Sequence, residues 1–69
     1  TPEAETLFET VMQLPEKYRI VIHLYYYEDY TVSEIADILK LSESNVKIRL
    51  SRGRGMLRNA LKEEWDDDK

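Results

Sequence analysis

The chain has 69 residues, 42% of them hydrophobic and 35% charged, with a net charge of −4 and no cysteine. That length allows one small domain, which buries only about 60% of the surface its unfolded form exposes, and the composition is that of a folded chain. The lack of cysteine excludes a disulfide framework and a thiolate metal site.

Helical periodicity marks four segments. The first is predicted over residues 3–13, where Ala4, Leu7, Phe8, Val11 and Met12 recur at helical spacing. Pro2 lies at its start, and Glu3 and Glu5 suit the positive end of the helix dipole. Pro15 restarts the chain, since a residue without an N–H and with a fixed φ fits a first helical turn. The second helix is predicted over 15–28, with Tyr18, Val21, Leu24 and Tyr25 on one face. Ile20, Ile22 and Tyr26 widen that stripe beyond what one small core needs, which leaves apolar surface for a partner. Thr31-Val32-Ser33-Glu34 has the spacing of a capping box, so a third helix is expected over 32–39 with Ile35, Ala36 and Leu39 inward. Ser42 can cap the N–H of Ser44 or Asn45 and start a fourth helix over about 43–62. Val46, Leu50, Gly53, Leu57 and Leu61 follow its inner face, and an acidic tail is expected at 63–69.

The charge is zoned along the chain. Residues 1–39 carry eight acidic and two basic side chains, residues 40–62 seven basic and one acidic, and residues 63–69 five acidic and one basic. A Debye length of about 8 Å at physiological salt lets an anionic ligand feel chiefly the zone on which it docks. A pI of 4.9 therefore does not exclude nucleic acid. The third and fourth helices, with about three residues between them, read as a helix-turn-helix over 31–57. A major groove about 12 Å wide admits one helix, and the preceding helix braces it across the backbone. Lys47, Arg49, Arg52 and Arg54 are spaced around that helix, so that both phosphate walls of the groove meet positive charge. The fold expected is all-α, a small four-helix domain that binds DNA.

The segments LPEKYRIVIHL (14–24) and YTVSEIADILKLSESNVKIRLSRGRGML (30–57) resemble region four of bacterial sigma factors, in particular the extracytoplasmic-function (ECF) group. The resemblance covers about residues 5 to 62. It implies a winged-helix-like DNA-binding domain without a wing, which recognises the −35 promoter element and holds the flap of the RNA polymerase β subunit. It also implies an anti-sigma factor as partner. Carried over by position, it makes Lys47, Ile48, Ser51 and Arg52 the residues that face bases, with Arg49 and Arg54 on phosphates. Ser44 and Asn45 join them at the helix start, and Arg19 and Thr31 match positions near the DNA backbone. Independent chemistry agrees for Arg52, whose fork can take O6 and N7 of guanine. It agrees also for Thr31 and Ser42, because helix N-termini present N–H groups to phosphate.

Three residues depart from the family pattern. Lys40 stands where glycine is usual and a left-handed backbone is expected, at a cost of about 1 kcal/mol. Gly53 stands where alanine is common and Gly55 where a larger residue is, each costing roughly 0.5–1 kcal/mol in a helix interior. Close approach of a neighbouring helix and simple drift are both open as explanations.

Other features carry no chemistry on this reading. Tyr25-Tyr26-Tyr27 point in three directions along a helix and read as packing rather than a base-stacking platform. His23 has no second ligand at metal spacing, and Asp66-Asp67-Asp68 read as a solvated acidic end. Trp65, four residues beyond Leu61, can cap the apolar face or meet a partner. No nucleophile, base and orienting group can be assembled, so neither an enzyme nor a cofactor is expected. Two alternatives remain open from the residues: a free-standing regulator that binds palindromic DNA as a dimer, and an interaction module whose second helix is held by an anti-sigma factor. The longest aliphatic run, Ile20-Val21-Ile22, is far short of the roughly 20 residues of a membrane span. With no signal-peptide pattern, a cytoplasmic location is expected. The first residue, Thr1, leads to the expectation of a piece of a longer protein.

Overall fold

The computed structural model describes residues 1–66, with side chains to residue 62. It contains helices α1 (Pro2–Gln13), α2 (Glu16–Ile22), α3 (Val32–Leu39) and α4 (Glu43–Asp66), and no strand among the described residues. α2 runs directly into a π-helical segment, His23–Tyr27. No helix among the described residues is long and apolar enough to cross a membrane.

Local caps set three of the helix starts. The Thr1 hydroxyl accepts from the Ala4 N–H at 3.2 Å, and the Ser42 hydroxyl accepts from the Asn45 N–H at 3.1 Å. At α3 the full capping box is present: the Thr31 hydroxyl accepts from the Glu34 N–H at 3.1 Å, and the Glu34 carboxylate accepts from the Thr31 N–H at 2.8 Å. Each cap satisfies N–H groups that a helix leaves unpaired and stabilises it by about 1 kcal/mol. Pro15 stands one position outside α2, whose first carbonyl bond runs from the Arg19 N–H to the Pro15 oxygen at 2.9 Å.

The single helix expected over 15–28 is corrected by the π turn. The Glu28 N–H donates five residues back to the His23 carbonyl at 3.2 Å, and the Tyr30 N–H donates to the Leu24 carbonyl at 3.0 Å, with Asp29 left-handed at φ 62°. The wider turn shifts the inner face: Tyr18, Val21 and Ile22 are buried, Leu24 is half-buried, and Tyr25 is exposed rather than inward. The reason is tertiary. In this register Tyr27 meets Phe8 of α1 edge-on, with ring centroids 5.6 Å apart, while Tyr26 reaches α4.

α4 also runs beyond the expected end at 62, so the acidic tail expected from residue 63 is helical in its backbone as far as Asp66. Acidic residues oppose the negative end of the helix dipole. Glu63 and Glu64 are nonetheless good helix formers, and neither proline nor glycine follows Gly55. The Trp65 side chain and Asp67-Asp68 lie outside the described residues.

The core is one cluster of Val11, Leu14, Tyr18, Val21, Ile22, Ile35, Ala36, Val46 and Leu50, to which every helix contributes. Of the apolar residues of α1 only Val11 is buried; Leu7, Phe8 and Met12 stay exposed. α4 packs against α1, α2 and α3, and at Gly53 it lies close to Ile22 and Tyr18 of α2. A Cβ there would lie 3.0 Å from Ile22 Cγ1 and 3.2 Å from Ile22 Cδ1, so the Ile22 side chain, 1% exposed, would have to give by a few tenths of an ångström. Gly53 thus sits in a tight helix contact, whereas a Cβ on Gly55 meets nothing within 4 Å, and nothing in the structure explains that second glycine.

α3 ends at Lys40, which adopts the left-handed conformation at φ 61° and ψ 43°. The Leu41 N–H then closes back on the Ala36 carbonyl at 2.9 Å, the longer bond of a Schellman turn. The lysine takes the turn that glycine would take and bears its strain. Lys40→Gly is expected to stabilise the domain by about 0.5–1 kcal/mol, read as a higher urea midpoint at unchanged slope. Alanine at the two glycines should separate them: Gly55→Ala gains about 0.5–1 kcal/mol of helix propensity, and Gly53→Ala falls below it by about 1–3 kcal/mol through overpacking. Equal midpoints for the two alanine variants would contradict the close contact.

Candidate nucleic-acid interface

The turn between α3 and α4 is three residues long, Lys40 to Ser42, and its geometry is set by the left-handed lysine and the serine cap. α3 buries Ile35 and Ala36, and the small Ala36 lets α4 lie close. α4 buries Val46, Leu50 and Gly53, with Leu57 and Leu61 half-buried along the same face. At about 100° per residue the opposite face carries Ser44, Ile48, Ser51 and Arg52, all four exposed. Ile48 is 49% exposed, an apolar side chain held out among polar ones, and such a group can meet a thymine methyl. Lys47 is exposed on one flank, and Arg49 and Asn45, both half-buried, are on the other.

Both helix starts keep donors available. A hydroxyl that accepts from a backbone N–H still holds its own proton, so Thr31 and Ser42 can each donate outward while capping. The first-turn N–H groups of α3 and α4 add to this at positions where an anion is favoured.

Two of the expected residues stand apart from the outer face of α4. Arg19 is directed to α1: it pairs with Glu16 at 3.8 Å and lines a groove with Phe8, Met12, Ile20 and His23, with no α4 residue among its neighbours there. The structure therefore does not bring it to the outer face of α4, because the register of α2 that buries Tyr18 and Ile22 turns residue 19 toward α1. Arg54 lies on the Lys47 flank, not the outer face, and its Nη1 donates to the Tyr26 hydroxyl at 3.0 Å. Periodicity could place Arg54 on a flank, but nothing in the sequence reveals its tyrosine partner.

Beside that pair is an apolar groove of about 510 Å³, between α1, the π-helical segment and the second half of α4. Leu7, Val11, Tyr27, Leu57 and Leu61 line it, together with Tyr26, Arg54 and Arg58. His23 stacks on Tyr27, with centroids 5.6 Å apart, and lies 3.7 Å from the Glu28 carboxylate.

A capped brace helix, a three-residue turn, and a second helix that is apolar inside and carries arginine, serine and lysine outside make this a helix-turn-helix domain of the DNA-binding type. Residues 4–57 match the family described as Sigma-70, region 4. The chain is 38% identical over 60 residues to the ECF RNA polymerase sigma factor SigW of Bacillus subtilis, covering 87% of this chain and 32% of that protein. It is 36% identical over 64 residues to the probable RNA polymerase sigma factor RfaY of Xanthomonas campestris, covering 93% of this chain and 16% of that protein. To the RNA polymerase sigma factor SigZ of Bacillus subtilis it is 38% identical over 52 residues, 75% of this chain and 30% of that protein. No solved structure gives a significant match. The chain belongs to the sigma-70 region 4 family and spans less than a third of the length of the curated relatives it matches.

Proposed function

We propose that this domain binds the −35 element of a promoter and, within an alternative sigma factor in the bacterial cytoplasm, directs RNA polymerase to that promoter. The observation that carries the reading is the outer face of α4, where Ser44, Ile48, Ser51 and Arg52 are exposed together on a helix braced by α3, in a chain of the sigma-70 region 4 family. In this reading the first half of α4 enters the major groove. Ile48, Ser51 and Arg52 face bases together with Lys47, and Arg49, Asn45, Ser44 and the N-terminus of α3 at Thr31 face the backbone. The apolar groove beside α1 suits the β-flap of the polymerase, and an anti-sigma factor that covered the same surface would switch the domain off.

The reading is tested by selecting bound sequences from a duplex library at low salt, with and without a β-flap fragment. One unsymmetrical motif, bound by a monomer, supports it; a palindrome bound by a dimer without the flap contradicts it. With the motif in hand, Arg52→Ala is expected to cost about 1–3 kcal/mol and relax preference at one base position. A uniform loss across all sequences would instead make Arg52 a phosphate contact. Arg49→Ala should weaken all duplexes alike and lower the slope of log affinity against log salt by about 0.9, measured by anisotropy titration at several salt concentrations.

A further inference from the structure

We infer that Tyr26 is a positioning residue for DNA binding: its hydroxyl holds the Arg54 guanidinium on the Lys47 flank of α4, where the arginine meets a backbone phosphate. The inference rests on the promoter-binding reading above and adds to it a residue from outside the helix-turn-helix.

Tyr26 and Arg54 are 28 positions apart in the chain, both are exposed, and they share a hydrogen bond of 3.0 Å. A contact so open to solvent does little for the core, which leaves its effect on the arginine. At about 100° and 1.5 Å per residue, Arg54 lies about 20° around α4 from Lys47 and about 10 Å further along it. When the outer face of the helix points at the groove floor, that flank points at a groove wall, which is lined by phosphates.

The chemistry of the partner matters as much as its place. A carboxylate would hold the arginine but cancel its charge; a neutral hydroxyl holds it and leaves the charge whole. Among the described residues no carboxylate is within ion-pair distance of Arg54. The guanidinium has five N–H donors, so a bond to Tyr26 leaves several for an anion. The tyrosine oxygen accepts and serves only to hold the arginine. An arginine fixed in advance also surrenders less rotamer freedom when it binds. The π turn supplies the geometry, since it presents Tyr26 to α4 while Tyr27 remains on Phe8. Turns of this kind occur often at functional sites.

The test is a double-mutant cycle on the 69-residue chain, titrated by anisotropy against the selected duplex. Tyr26→Phe, which removes only the hydroxyl, should weaken binding by about three- to tenfold. Arg54→Ala should weaken it at least as much and lower the salt slope by about 0.9. The double variant should bind no more weakly than Arg54→Ala alone. By NMR, the Arg54 Nη1–H protons, which make the bond, should exchange faster with solvent in Tyr26→Phe, while circular dichroism melting stays unchanged. Additive losses, wild-type affinity in Tyr26→Phe, or an Arg54 signal indifferent to the substitution would each overturn the inference. If the wild-type chain selects no motif, it is the promoter reading that fails. The same cycle against random duplex at low salt still decides the phosphate contact, because that contact does not depend on sequence.

Discussion

The packing of α4 on the other three helices, with Gly53 set close against Ile22, is what the arrangement of this domain depends on. Hydrogen in place of a methyl group lets α4 settle against α2 with Ile22 and Tyr18 at its surface, and Ile22 is almost wholly enclosed. α4 in turn packs on each of the other helices. In a chain of this size the buried surface is a modest fraction of the whole, so the tight crossing of two helices weighs heavily in holding the rest. Together with the burial of Val46 and Leu50 it sets the rotation of α4, and with it which side chains look outward. A helix held by a bulkier residue would stand further off and offer α3 a different surface to brace.

From that single rotation three surfaces follow on one helix. The inner face is core. The outer face, with Ile48 and Arg52, is free for the groove of DNA. The flank with Arg54 and Arg58 borders the apolar groove against α1, so the side of the helix proposed to meet one phosphate wall also edges the apolar surface. Placing both on one rigid element means that the two ligands can be held in a fixed relation without any moving part.

The charge pattern fits the same division. A net charge of −4 resists nonspecific attraction to DNA, while residues 40–62 concentrate the positive charge on the reading helix and the turn before it. Screening limits the reach of the acidic zones to about one Debye length. On the function proposed above, such a domain would bind weakly by itself, and tethering to a larger assembly would raise its effective concentration. Selectivity then resides in a few base contacts rather than in bulk attraction.

What could be read from the residues alone was what is decided within one or two helical turns. The capping box at Thr31 and Glu34, the serine cap at Ser42 and the inner stripe from Val46 to Leu57 all rest on neighbours at most five positions apart, and each is present in the fold; the left-handed turn at Lys40 is expected only from the family resemblance. The family was legible for the same reason, because its motifs lie along these local elements. Contacts between distant positions were decided only by the tertiary structure. The π turn, the turning of Arg19 toward α1, the partnership of Arg54 with Tyr26, and the tight contact at Gly53 but not at Gly55 each depend on a helix that the local sequence does not contain. Periodicity assigns a side chain to a face of its own helix; which neighbour that face meets, and how closely, is set by the packing of all four.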